Sequence, residues 1–202
     1  MKTLLLGAIA AFALLGFQPM ANASAEIGKP VPDFTAADTN GNTHKLSDFK
    51  GKVVVLEWTN AECPYVVKHY DSGNMQKLQE TYTAKDVVWL TVNSGKEGKQ
   101  GHVTADQANA LIKDKGGKQT AYILDSTGVI GKSYDAKTTP HMYVINQEGT
   151  LVYNGAIDDN NSSKQADIPT SKNYVVAALD AVLEGKEVET AKTKPYGCGV
   201  KY

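Results

Sequence analysis

Two uninterrupted apolar runs constrain this chain more than any other feature. Val53-Val54-Val55-Leu56 and Val87-Val88-Trp89-Leu90-Thr91-Val92 show almost no polar alternation, so neither suits a strand with one wet face. Each needs cover above and below, which calls for a sheet with helices on both faces. The intervening and following segments supply them. After Cys63-Pro64, apolar residues fall at Val66, Val67 and Tyr70 and again at Met75, Leu78 and Tyr82, a helical spacing broken near Asp71-Ser72-Gly73 and therefore a kinked helix. Thr104-Ala105-Asp106-Gln107 is a capping-box pattern ahead of a helix to about Lys115, which Gly116-Gly117 ends. Tyr174, Val175, Ala178, Leu179, Val182 and Leu183 share one face of a last helix, stopped by Gly185.

Shorter signals complete the order of elements. Thr39-Asn40-Gly41-Asn42-Thr43 is a turn between two short hairpin strands. Residues 121–124 read as a strand, 127–134 as one or two helical turns and 141–145 as a further strand. The turn Asn146-Gln147-Glu148-Gly149 leads into Leu151-Val152-Tyr153 as an antiparallel hairpin. The resulting expectation is an α/β fold with a central mixed β-sheet and helices on both faces. With 202 residues, 42% hydrophobic and 21% charged, the chain suits one globular domain and neither a multi-span membrane protein nor a disordered chain.

The first residues do not belong to that domain. Lys2 precedes an apolar run over residues 4–17, followed by Pro19 and Ala21-Asn22-Ala23-Ser24-Ala25, the pattern of a secretory leader with cleavage after Ala23 or Ala25. The run is shorter than the roughly 20 apolar residues of a spanning helix. Residues 1–25 are therefore expected to be a signal peptide, 26–185 the domain and 186–202 a tail. The mature protein is expected in the bacterial periplasm, with no membrane span. Its charge is close to zero, −1 for the whole chain, which gives no footprint for nucleic acid or an anionic membrane.

Only two cysteines are present, Cys63 and Cys198, and export would carry both into an oxidising compartment. One reading is a structural disulfide, worth about 5 kcal/mol for so long a loop in the chain-entropy model. The other is a redox couple. Cys63 follows a strand and opens a helix with Pro64 at a position suited to N1, so it faces unpaired amides and the positive end of the helix dipole. Such a placement favours the thiolate, the attacking form, without any cofactor.

The segment Leu56-Glu57-Trp58-Thr59-Asn60-Ala61-Glu62-Cys63-Pro64-Tyr65-Val66, together with Thr138-Thr139-Pro140-His141, resembles the active-site turn and cis-proline loop of the thioredoxin-like superfamily. The likeness is to its redoxin branch, which holds alkyl hydroperoxide reductase and thiol-specific antioxidant proteins. The resemblance spans about residues 27–185 and implies a thioredoxin-like three-layer fold. It also implies a cis bond before Pro140 and a substrate groove shaped by Pro64, Thr139, Pro140 and Trp58. Glu57 stands six positions before Cys63, where thioredoxins carry a buried acid that moves protons; burial without a partner would raise its pKa. The alternative is that Glu57 reaches water at the strand end.

Two departures matter. Val66 occupies the place of the second cysteine of a Cys-x-x-Cys pair, so the usual local dithiol cannot form. All 21 basic residues are lysines, so the planar fork with which peroxiredoxins hold peroxide is missing; Lys68 or His69 is the candidate substitute. Cys198, flanked by glycines in Lys194-Pro195-Tyr196-Gly197-Cys198-Gly199-Val200, can resolve a Cys63 intermediate by folding back or by reaching another subunit. It can equally form a permanent staple. Tyr196 and Tyr202 would help pack the tail in either case. The expected function is thiol–disulfide exchange with Cys63, Cys198 and Glu57 as catalytic residues, on a thiol or disulfide protein or small molecule and with an unidentified reductant. A thiol peroxidase is one alternative. A non-catalytic binding or copper-delivery protein is another, with Cys63, His69, His141 and Met142 as the soft and imidazole ligands available; their spacing is not a metal motif, so no metal site is expected.

Overall fold

A computed structural model describes residues 24–202; residues 1–23, with most of the expected leader, lie outside the described residues. The chain opens with a hairpin, β1 (Thr35–Ala37) and β2 (Thr43–Lys45), joined by the expected Asn-Gly turn. Strand β3 (Val54–Trp58) leads to α1 (Pro64–Asp71) and α2 (Asn74–Thr83), then come β4 (Val88–Asn93), α3 (Ala105–Lys115), β5 (Ala121–Leu124) and α4 (Val129–Ser133). A two-residue β6 (Thr138–Thr139) precedes β7 (His141–Ile145), β8 (Leu151–Gly155), α5 (Tyr174–Leu183) and a last two-residue β9 (Cys198–Gly199).

The main sheet has the order β5-β4-β3-β7-β8. β3 runs parallel to β4, β4 parallel to β5, and β7 antiparallel to both β3 and β8. The mixed sheet expected from the pattern is therefore present, with the two all-apolar runs at its interior. Successive side chains of a strand point to opposite faces, so β3 feeds two cores. Val54, Leu56 and Trp58 pack with Leu90, Val92, Ile130, Tyr134 and Tyr143 on one face. Val53 and Val55 pack with Met75, Leu78, Tyr82, Leu179 and Val182 beneath α2 and α5 on the other. Burial of each such Val, Leu or Met side chain contributes about 1.5–3 kcal/mol.

Local signals place most of the helix ends. Thr104 and Gln107 form the expected capping box at α3, and Gly116 closes it. Asn173 caps α5 through the Val176 amide at 2.9 Å. The expected kink is a full break: Ser72 ends α1, and Gly73, at φ +73°, turns the chain in the left-handed region before α2 starts. α4 begins at Val129, later than the pattern from residue 127 suggests, because Asp125 uses its carboxylate to accept from the Ile130 and Gly131 amides at 3.2 and 2.8 Å.

The tail departs most from expectation. Without apolar periodicity it carries no expected element, yet of the two courses open to it the chain takes the fold back along the domain and forms β9, paired antiparallel with β6. Among the described residues no helix is long and apolar enough to cross a membrane.

Candidate active site around Cys63 and Cys198

Cys63 is the N-cap of α1, with extended backbone (φ −79°, ψ 121°) and Pro64 in the first turn. This is the placement the Cys-Pro pair implies. Pro64 itself is exposed beside it. Opposite lies the turn between β6 and β7, where the Thr139–Pro140 bond is cis, as the resemblance implies. Thr139 and Pro140 are buried there. β9 fits into the angle between them: Thr139 pairs with Cys198 and Thr138 with Gly199. The Cys198 amide donates to Cys63 Sγ at 3.4 Å, the Cys63 thiol donates to the Thr139 carbonyl at 3.0 Å, and the Thr139 hydroxyl donates to the Cys198 carbonyl at 3.4 Å. The two cysteines, 135 positions apart in sequence, thus meet within one chain.

Close approach of this kind needs Gly197. At φ +129° its backbone lies against the Thr139 carbonyl, and a Cβ there would collide with that oxygen. Either side of Cys198 the tail is anchored. Tyr196 donates its hydroxyl hydrogen to Asp158 Oδ1 and packs its ring, tilted by 57° and 5.7 Å away between centroids, against Tyr65 of α1. Tyr202 donates to the Ala136 carbonyl at 2.7 Å, and the Lys96 amide donates to the Lys201 carbonyl at 2.8 Å.

These contacts set the two thiols apart. Burial alone would push the Cys63 pKa up, but hydrogen bonds from the Cys198 side chain, the Thr139 side chain, the Cys198 amide and the Val66 amide outweigh it and hold the pKa below the usual thiol value. Burial, the hydrogen bond to Cys63 and the charge on Cys63 push Cys198 the other way, to about 11. Cys63 is wholly buried, whereas a reachable sulfur is what the helix N-terminus alone suggests. The tail, absent from any local reasoning, supplies the cover; Cys198 is itself half-exposed.

Three sequence-based placements need correction. Trp58 does not line the groove. It is 0% exposed, donates its indole hydrogen to Ser94 Oγ at 3.0 Å and packs between Tyr134 and Tyr143, because the alternation of β3 turns it to the face away from α2 and α5. Glu57 is buried, as the resemblance implies, and does not reach water at the strand end, but it does not lack partners. It is fully buried, accepting at Oε2 from Trp89 Nε1 (2.8 Å), Gln79 Nε2 (3.1 Å) and Thr91 Oγ1 (3.2 Å), and at Oε1 from the Tyr70 hydroxyl (2.8 Å). Burial raises its pKa against these four donors, and none of its hydrogen bonds goes to a cysteine. Finally, Lys68 and His69 do not serve as cations for Cys63. Both are turned to Asp158, at 3.4 and 3.7 Å.

That Asp158 cluster is the element of the site that sequence reasoning missed. Lys68, 1% exposed, also donates to the Asn160 carbonyl at 3.2 Å, and His69 holds Asn74 at 2.8 Å through Nδ1. Burial lowers the His69 pKa to about 4, with Asp158 opposing, so the ring is neutral near pH 7. The only available signal was a lysine and a histidine on the inner side of α1. Among the described residues no three His, Cys, Asp or Glu side chains converge as a metal site; His141, one of the ligands weighed, gives Nε2 to Asn154 at 2.8 Å and Nδ1 to Tyr143 at 3.1 Å.

Comparison with known proteins agrees with this fold. The family model described as Redoxin matches residues 26–171. The chain is 26% identical over 130 residues to the thiol-disulfide oxidoreductase ResA of Bacillus thuringiensis subsp. konkukian, covering 63% of this chain and 68% of that one. Two crystal structures superpose with a TM-score of 0.73. One is a hypothetical protein from Sinorhizobium meliloti 1021, 27% identical over 89% of this chain and 96% of its own. The other is an uncharacterized conserved protein from Geobacillus kaustophilus, 28% identical over 88% and 92%.

Proposed function

Since the chain belongs to the redoxin family, we propose that it is a thiol–disulfide oxidoreductase whose redox couple is Cys63 with Cys198. The observation that carries this reading is the Cys198 amide donating to Cys63 Sγ across the β6–β9 pairing. It brings a second thiol within reach of Cys63, in a chain where Val66 stands at the second position of a Cys-x-x-Cys pair. The Cys63 thiolate attacks one sulfur of a substrate disulfide, forming a mixed disulfide and releasing the other sulfur as a thiolate. The Cys198 thiol passes its proton to that leaving group and attacks Cys63 Sγ. The second substrate sulfur departs, and the protein is left with a Cys63–Cys198 disulfide and two electrons poorer.

Thr139 and Pro140 shape the groove in which this happens, with Pro64 on its rim. Its partners are thiol proteins. Export by the leader is part of the reading; Ala25 donates its amide hydrogen to Ser133 and packs on the core, which favours Ala23 as the cleavage point.

Replacement of each cysteine tests the couple. Cys63→Ser loses exchange with a disulfide substrate down to the uncatalysed rate, and Cys198→Ser accumulates a mixed disulfide on Cys63 that is not released. Undiminished exchange in Cys63→Ser rejects the proposal. Peroxide separates the antioxidant alternative. With Lys68 and His69 committed to Asp158, micromolar hydrogen peroxide is expected to oxidise Cys63 no faster than a free thiol in stopped-flow mixing.

A further inference from the structure

We propose that the oxidised couple is re-reduced through Cys198: an incoming thiolate attacks Cys198 Sγ and Cys63 Sγ departs. This rests on the Cys63–Cys198 couple and adds which sulfur receives the reductant. In a local Cys-x-x-Cys pair the helix-capping cysteine is the accessible one. Here the accessibilities are reversed, because Cys63 is 0% exposed and Cys198 is the half-exposed member, on an edge strand next to exposed Gly199.

The fold keeps them that way once the disulfide forms. In the dithiol state the tail over Cys63 is held without a covalent bond, by hydrogen bonds to Asp158, Thr139, Ala136 and the Lys96 amide and by packing of Tyr196 and Val200 on the domain, and lifting it admits a substrate disulfide. A Cys63–Cys198 bond ties the same tail down covalently, and the Tyr196 anchor two residues away holds its near side. Cys63 Sγ is then closed to a second nucleophile while Cys198, the half-exposed residue of the pair, still borders solvent. The leaving-group order agrees, because exchange is faster when the departing sulfur is the more acidic thiol, and here that is Cys63.

The step balances as follows. A reductant thiolate bonds to Cys198 Sγ as the Cys63–Cys198 bond breaks, and Cys63 leaves as a thiolate. A second thiol of the same reductant then attacks the reductant sulfur of the mixed disulfide, and Cys198 departs and takes up its proton. The reductant is therefore a dithiol, which ends as a disulfide. Substrate and reductant thus meet different sulfurs, the substrate at Cys63 and the dithiol at Cys198.

The test uses the wild-type chain without its leader, oxidised until mass spectrometry finds the Cys63–Cys198 bond. Glutathione, a monothiol that stops at the mixed disulfide, is mixed in, the reaction is quenched with acid at increasing times, free thiols are alkylated and peptides are mapped. Extrapolated to the earliest times, which removes later transfer between sulfurs, glutathione is expected on Cys198 in at least tenfold excess over Cys63, with Cys63 recovered alkylated. Equal labelling, or glutathione first on Cys63, overturns this inference and leaves the couple standing. Failure of the oxidised chain to form the Cys63–Cys198 bond overturns both.

Discussion

Cys63 and Cys198 carry the same side chain and are held on opposite sides of the ordinary thiol range. Donors converge on Cys63 and hold its pKa below the usual thiol value, while burial, then the hydrogen bond to Cys63 and the charge on Cys63, push Cys198 up to about 11. Of the two coupled thiols Cys63, at the helix start, is the first to lose its proton. Glu57 is governed by the same arithmetic of donors. Trp89 and Gln79 are obligate donors to Oε2, so an amide in place of the carboxylate leaves a buried donor facing donors. Glu57→Gln is expected to lower stability by about 1–3 kcal/mol, measured by denaturant unfolding. Because Glu57 has no hydrogen bond to either cysteine, the pH midpoint of the exchange rate should stay where it is. A displaced midpoint in the variant would assign Glu57 the proton-transfer role that its position six residues before Cys63 suggests.

One step up, at the level of elements, the two-residue strand β9 controls access to the site. Two ladder residues do not hold a strand on their own; its neighbours do, above all Tyr196 with its hydroxyl on Asp158. Tyr196→Phe keeps the ring on Tyr65 and removes that bond. A hydrogen bond to a charged group is worth about 1.5–3 kcal/mol, and tenfold corresponds to about 1.4 kcal/mol. Alkylation of Cys63 in the reduced protein should therefore speed up about ten- to a hundredfold if lifting of the tail limits access. An unchanged rate, read by mass spectrometry of iodoacetamide-treated protein, would mean that the tail is not the barrier. Helix α1 belongs to this scale as well: its Lys68 and His69 reach Asp158, which also accepts from Tyr196, and so the helix that bears the nucleophile is tied to the tail that covers it.

Over the whole molecule, burial of polar groups makes stability depend on pH. His69 and His141 are held at about 4 in the folded state, burial being the cause in both, against 6.5 for the free side chain. A lowered histidine pKa means that the unfolded chain binds more protons between these values, so stability is fully present above about pH 6.5 and is lost as pH falls towards 4, by about 3 kcal/mol for each histidine. Glu57, raised by burial, acts in the opposite sense from pH 4.5 upward and offsets part of this. Asp38, held at about 2, extends the loss below pH 4. The denaturant midpoint should accordingly drop between pH 7 and pH 4.5, and a flat profile would contradict neutral, buried imidazoles. Much of this molecule was legible beforehand from repeating local patterns: the two doubly covered strands, the capped helices, the hairpins and Cys63 at a helix start, since period and capping depend on neighbours within a few residues. The partners of Glu57, the inward turn of Trp58, the cluster around Asp158 and the seat of Cys198 were settled only by the tertiary structure. Each depends on which face of β3 meets which layer, or on a contact across as many as 135 residues, and a tail without apolar periodicity carries no local mark of where it will dock.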